Sequence, residues 1–131
     1  MTPGAMPTAL EGARSRPTTS QELLLRACLA DDERIAVAAW ELWCSTTDLD
    51  AIDEESFRHL PLAWHRLQGK VASDRTYEIA KGVYRQAWYR NALLLRTVGE
   101  VLDAFAPQGI DVMLLKGTSL ASRCYPTLAT R

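Results

Sequence analysis

Cysteine is scarce in this chain of 131 residues: only Cys28, Cys44 and Cys124. They are odd in number and far apart. They form no Cys-x-x-Cys pair, which argues against a structural zinc site. The expectation is three buried free thiols in a reducing compartment, with the cytoplasm as location. Long apolar runs are missing as well. None approaches the roughly 20 residues of a membrane-spanning helix, so no membrane partner is expected. Arg14 and Arg16 have no apolar stretch behind them and do not read as a signal peptide. Charge of one sign is lacking overall: the formal net charge is −1, which carries no strong nucleic-acid signal. The two histidines, His59 and His65, are six residues apart. That spacing puts them on different sides of a helix, so a shared metal is not expected.

Several catalytic signatures are also missing. There is no Gly-x-Gly-x-x-Gly, no His-Glu-x-x-His, no nucleophile elbow and no EF-hand loop. Asp48-Leu49-Asp50 has the form of a metal-binding Asp-x-Asp pair. It lies in a polar linker between helices, however, and reads as a solvated loop.

What is present is helical periodicity. Residues 1–18 are rich in Pro, Gly, Ala and Thr and read as a disordered tail. Thr19 and Glu22 have the spacing of a capping box. The helix they open carries Leu23, Leu24, Ala27 and Cys28 as its apolar stripe. Asp31, Asp32 and Glu33 place negative charge where a second helix begins. That helix shows Ile35, Ala39, Leu42 and Trp43 on one face, widened by Trp40. Asp53 suits the N-cap of a third helix, in which Phe57 and Leu60 precede Pro61. Proline should break or restart that helix, and Gly69 should end it. From about Ser73 to Ala106 one long helix repeats Tyr77, Ala80, Tyr84, Trp88, Asn91, Leu95, Val98, Leu102 and Phe105 at three and four. So wide a stripe should be covered by the earlier helices. Asn91, polar on that stripe, suits an interhelical hydrogen bond or a contact to something bound. Gly82 and Gly99 suggest a close approach or a kink.

Charge is segregated along the chain. Between Asp31 and Glu55 the acidic residues are Asp31, Asp32, Glu33, Glu41, Asp48, Asp50, Asp53, Glu54 and Glu55, against Arg34 alone. Between Arg66 and Arg96 the basic residues are Arg66, Lys70, Arg75, Lys81, Arg85, Arg90 and Arg96, against Asp74 and Glu78. Two layers with oppositely charged faces explain this. A basic face for a polyphosphate or nucleic acid is the other reading.

The segment after the long helix has a different character. Val112, Met113, Leu114 and Leu115 form a continuous apolar run, suited to a strand buried on both faces. Lys116, Gly117, Thr118 and Ser119 read as a turn, with Thr118 or Ser119 capping a short helix that Pro126 ends. A turn feeding a helix N-terminus presents free N–H groups and suits a phosphate. It is not a Walker A loop, because Lys116 precedes Gly117. The rest of the chain offers no second convincing strand, and a lone strand cannot satisfy its own backbone. Either the strand pairs with another molecule, as in a homodimer through its edge, or the chain is the front part of a larger domain. The expected fold is mainly α, a truncated α+β arrangement. Its parts are a helical region over 19–106 and the first strand, glycine turn and helix of an incomplete domain over 107–131.

Three stretches carry a resemblance: residues 22–29 (Glu-Leu-Leu-Leu-Arg-Ala-Cys-Leu), residues 84–95 around Trp88 and Asn91, and residues 112–121 around Leu115-Lys116-Gly117-Thr118. Together they resemble the uncharacterised nucleotidyltransferase family of bacteria, a branch of the DNA polymerase β-like superfamily. The resemblance covers roughly 20–131. It implies a nucleoside triphosphate (NTP) as one partner, an unknown acceptor as the other, and nucleotidyl transfer between them. Lys116, Gly117, Thr118 and Ser119 would face the phosphates. In the complete family enzyme an Asp-x-Asp pair on the next strand holds Mg²⁺, and Tyr125, Pro126 and Arg131 fit the approach to it. That pair is absent here, so no catalysis and no tightly bound metal is expected of this chain. The alternative is a non-catalytic helical binding or dimerisation module.

Overall fold

A computed structural model describes residues 16–130. Five α-helices follow one another among them: α1 (Thr19–Leu29), α2 (Glu33–Thr46), α3 (Glu54–Leu67), α4 (Arg75–Phe105) and α5 (Lys116–Arg123). Short 3-10 turns occupy Leu49–Ala51, Ala106–Gln108 and Leu128–Thr130. No described helix is long and apolar enough to cross a membrane. The disordered-tail expectation falls mainly on residues 1–15, which lie outside the described residues, as does Arg131.

Each of the first four helices is opened by a side chain, because its first N–H groups have no intrahelical acceptor. The capping box of α1 sits one residue earlier than expected. Thr18 is the N-cap, and its hydroxyl accepts from the Gln21 N–H at 3.2 Å. Gln21 answers by accepting from the Thr18 N–H at 2.9 Å. Asp32 opens α2, Asp53 opens α3 and Asp74 opens α4. Asp53 is the most engaged. Its carboxylate accepts from the Ser56 N–H at 2.9 Å, the Ser56 hydroxyl at 2.6 Å and the Gln21 side-chain amide at 3.1 Å. The Ser56 hydroxyl leads these bonds in drawing the Asp53 carboxyl from 3.8 down to about 2. A carboxyl lowered by folding stabilises the fold above its unfolded value, and that contribution is lost as pH falls towards about 2. Asp53 is exposed, so the effect is of the order of a single cap, about 1 kcal/mol. D53A should therefore cost about that much at pH 6, and the gap to wild type should narrow by pH 2.5. Urea unfolding at the two pH values measures it; an equal gap at both would refute the ionic cap.

The core is built where α1, α2 and α3 meet the start of α4. Leu24, Ala27 and Cys28 come from α1, and Ala36, Ala39, Trp40 and Trp43 from α2. Leu60, Ala63 and Leu67 come from α3, and Ala80 from α4. Trp40 and Trp43 stack with centroids 5.4 Å apart. The Trp43 indole N–H donates to the Ser20 hydroxyl at 3.0 Å, tying α2 to α1. Ile35 and Leu42 are not part of this core, being 53% and 51% exposed. The small Ala36 and Ala39 let the backbones approach, which turns the flanking large residues outward.

Pro61 neither breaks nor restarts α3, which runs through it. A proline inside a helix costs about 3 kcal/mol. Burial of Leu60, Pro61, Ala63 and Leu67 on one side of α3 offsets that cost. The helix stops as expected at Gly69, whose φ of +76° is the left-handed conformation of a helix end.

The long helix spans 31 residues, about 46 Å. The 14-residue α3 reaches only about 21 Å and cannot cover it. Buried residues therefore end at Asn91, and Leu93, Leu94, Val101 and Phe105 are exposed. This corrects the expectation of a fully covered stripe. Nothing lies within 4 Å of where a Cβ on Gly82 or Gly99 would sit, so neither glycine marks a close approach among the described residues.

The largest correction concerns the fold class. No strand occurs among the described residues, and the structure is helical, not α+β. After α4, Gly109 adopts φ +67° and turns the chain. Residues 110–115 then run without regular structure, and Val112, Met113, Leu114 and Leu115 are all exposed. The reason is the one that made the lone strand suspect. No described segment offers it a ladder, so its N–H and C=O groups remain open to solvent. The strand edge offered as one route to a homodimer is likewise not formed among the described residues.

The three thiols differ in burial. Burial pushes the Cys28 thiol up to about 12 and the Cys44 thiol up to about 11. Both remain protonated and inert at neutral pH. Against the expectation of three buried thiols, Cys28 alone is buried, Cys44 is half-buried and Cys124 is exposed.

Candidate functional site

Two places carry chemistry. The first is the start of α5. Lys116, Gly117, Thr118 and Ser119 are not a turn before the helix; they are its first turn. The N-cap is Leu115, and no side chain caps the N-terminal N–H groups. Thr118 and Ser119 are thus too far along to cap it, and the Ser119 carbonyl instead accepts from the Ser122 hydroxyl at 3.0 Å. Lys116 has φ +54°, the one non-glycine residue with positive φ among the described residues. Such a conformation costs roughly 1–3 kcal/mol. It turns the chain directly into the helix with Lys116 exposed at the end. The arrangement is four backbone positions at the positive end of a helix with one ammonium beside them, the chemistry that suits an anion.

The second place is a cleft of about 760 Å³ between α3, α4 and the C-terminal segment. Glu54, Phe57, Arg58 and Pro61 recur at three and four along α3, so they share a face. Val83, Gln86, Ala87 and Arg90 do the same along α4. Tyr125 and Thr130 close the cleft. The C-terminal segment is pinned to α4 by two bonds. The Asn91 amide donates to the Leu128 carbonyl at 2.6 Å, and the Tyr84 hydroxyl bonds the Thr127 hydroxyl at 3.2 Å. Asn91 therefore fixes packing, though its partner is a turn and not another helix.

The charged groups of the cleft are unequally occupied. Arg58 pairs with Glu54 one turn before it on α3. Arg90 pairs with no carboxylate among the described residues, although Lys70 reaches Glu33 at 2.8 Å and Arg75 approaches Asp50 at 3.9 Å. The acidic and basic segments thus partly neutralise each other, leaving Arg90 to the cleft. His59 holds its Nδ1 at 2.7 Å from the Glu55 carbonyl. A carbonyl only accepts, so Nδ1 carries the proton and Nε2 is the free ring nitrogen. His65 stacks against Tyr84 instead, with centroids 6.2 Å apart. Sequence reading missed Phe57, Arg58 and Gln86 as site residues. The repetition at three and four along each helix was visible, but nothing in it says that the two faces meet.

Metal ligands are not assembled. Among the described residues no group of three His, Cys, Asp or Glu side chains could hold an ion. Asp48 caps the turn at Leu49–Ala51 by accepting from the Asp50 N–H at 3.0 Å. Asp50 faces Arg75.

Residues 46–131 match the family model described as an uncharacterised nucleotidyltransferase. The chain belongs to that family. The match takes in α3, α4, α5 and both candidate sites, including residues 84–95 and 112–121. It leaves out residues 22–29, so the first of the three stretches contributes nothing to it. No curated protein and no solved structure matches the chain.

Proposed function

We propose that this chain provides the phosphate-facing start of a nucleotidyltransferase site of the DNA polymerase β-like kind. An NTP would be the donor, and the acceptor is undefined. The Lys116 ammonium meets the phosphates, and the N–H groups of Gly117, Thr118 and Ser119 point at them. The observation that supports this is the uncapped N-terminus of α5 with a strained Lys116 beside it, inside the region of the family match. The carboxylates that would hold Mg²⁺ are not among the described residues. We therefore expect the 131-residue chain alone to bind an NTP weakly and to transfer nothing.

The test is a calorimetric titration of the chain with ATP and GTP, with and without Mg²⁺. Binding should be weak and indifferent to Mg²⁺, and K116A should weaken it about tenfold, the loss of one charge-assisted contact. An unchanged affinity in K116A would remove Lys116 from the site. Tight, Mg²⁺-dependent binding would show a metal site that the described residues do not form.

A further inference from the structure

The cleft between α3 and α4 is separate from the start of α5. Tyr125 follows the far end of α5, and the eight residues of that helix span about 12 Å. A ligand on the N–H groups of Gly117–Ser119 is thus about a helix length from the cleft wall that Tyr125 forms. We infer that the cleft binds a small phosphate ester with a flat apolar body, independently of the NTP phosphates.

The ligand class follows from the lining. Arg90 lines the cleft from α4 without a described carboxylate partner, and Arg58 lines it from α3. The Arg90 guanidinium suits a phosphate, whose oxygens accept its paired N–H groups, and Arg58, bonded to Glu54, lines the same cleft from the other helix. Glu54 already holds Arg58; its charge opposes a second anionic group there, so the cleft suits a ligand with one phosphate, not a polyanion. Away from the arginines Phe57, Pro61, Leu62, Val83 and Ala87 form the apolar part of the walls, beside the polar His59, Gln86 and Thr130. Phe57 is 42% exposed and Tyr125 40% exposed, two aromatic faces that a flat ring can stack on. The volume falls in the range that accepts such a molecule. A large aromatic turned out of the core and into a cleft beside two arginines has an explanation if a ring packs on it. Asn91 and Tyr84 hold the C-terminal segment that closes the cleft against α4.

The experiment is an NMR amide-shift titration of the 131-residue chain with 1-naphthyl phosphate, compared with 1-naphthol and inorganic phosphate. Shifts should gather at Phe57, Arg90 and Tyr125, with a Kd below about 1 mM. R90Q should weaken binding about tenfold. Gln suits an exposed helix position, so the melting curve of R90Q should match wild type. F57A should weaken naphthyl phosphate and leave inorganic phosphate unchanged. K116A should leave naphthyl phosphate binding intact, which separates this cleft from the NTP reading. The inference is overturned if R90Q binds as wild type, if shifts gather at residues 116–119 instead, or if no probe saturates by about 10 mM.

Discussion

Replacing Trp43 by alanine should cost about 3–5 kcal/mol of unfolding free energy, the largest single-residue effect expected in this molecule. Trp43 is fully buried and among the largest side chains in the core. Three things go together when it is truncated. The stack with Trp40 is lost. The volume between α1, α2 and α3 empties, and a rigid helical junction collapses only partly into it. The bond from the indole to Ser20 disappears, leaving the Ser20 hydroxyl only its bond of 3.1 Å with that of Thr47. Domains of this size are held by roughly 5–15 kcal/mol, so W43A should lose a large share of the stability and unfold at a clearly lower urea concentration. W43F should lie between, because it restores most of the apolar volume and not the indole donor. Urea unfolding followed by circular dichroism measures both. A loss below about 1 kcal/mol for W43A would mean that the junction of α1 and α2 is not the centre of the fold.

The second large effect belongs to Asn91. It is buried on α4 and donates to the Leu128 carbonyl at 2.6 Å. Asn91→Leu keeps the side chain's bulk and removes the donor. The Leu128 carbonyl then loses its partner on α4, which costs about 1–3 kcal/mol. The cost falls locally, because the turn at Leu128–Thr130 is held to α4 by Asn91 and by the Tyr84–Thr127 bond. Amide exchange of Ala129 and Thr130 should accelerate by about tenfold or more, while amides of α1 and α2 stay protected. Y84F should produce a smaller version of the same change. Unaltered exchange at Ala129 and Thr130 in N91L would show that the turn is held by something other than this bond. Because that turn closes one end of the cleft, N91L should also weaken naphthyl phosphate binding if the cleft reading is right.

How much of this was legible beforehand depends on whether the signal was local. Helix positions were readable, because periodicity and capping act within a few residues. Asp53 as N-cap and Gly69 as stop came out as read; Thr18 took the place of Thr19 as cap because both are threonines with an amide or acid three residues on. The role of Asn91 as a packing bond was readable in kind, since a polar residue on an apolar stripe needs a partner. Its partner was not, because Leu128 is 37 residues away. Pro61 misled for a related reason. Its local preference is to end a helix, and only the burial of its neighbours against other helices reverses that. Residues 112–115 misled more deeply. A continuous apolar run states that the segment seeks burial, and strand was the conformation inferred from that. No ladder for it is formed among the described residues, and the run stays exposed and irregular.

The sequence by itself determined the acidic caps of α2, α3 and α4 and the stop at Gly69, since these act within a few residues, and its match over residues 46–131 gives the family. Only the tertiary structure decided which faces meet. It turned Ile35, Leu42 and Phe57 outward, left the second half of α4 uncovered, and set Arg58 and Arg90 across one cleft. Those outcomes depend on helix lengths and on backbone approach at small residues such as Ala36, Ala39 and Ala63. Such quantities appear only when elements far apart in the chain are packed against each other.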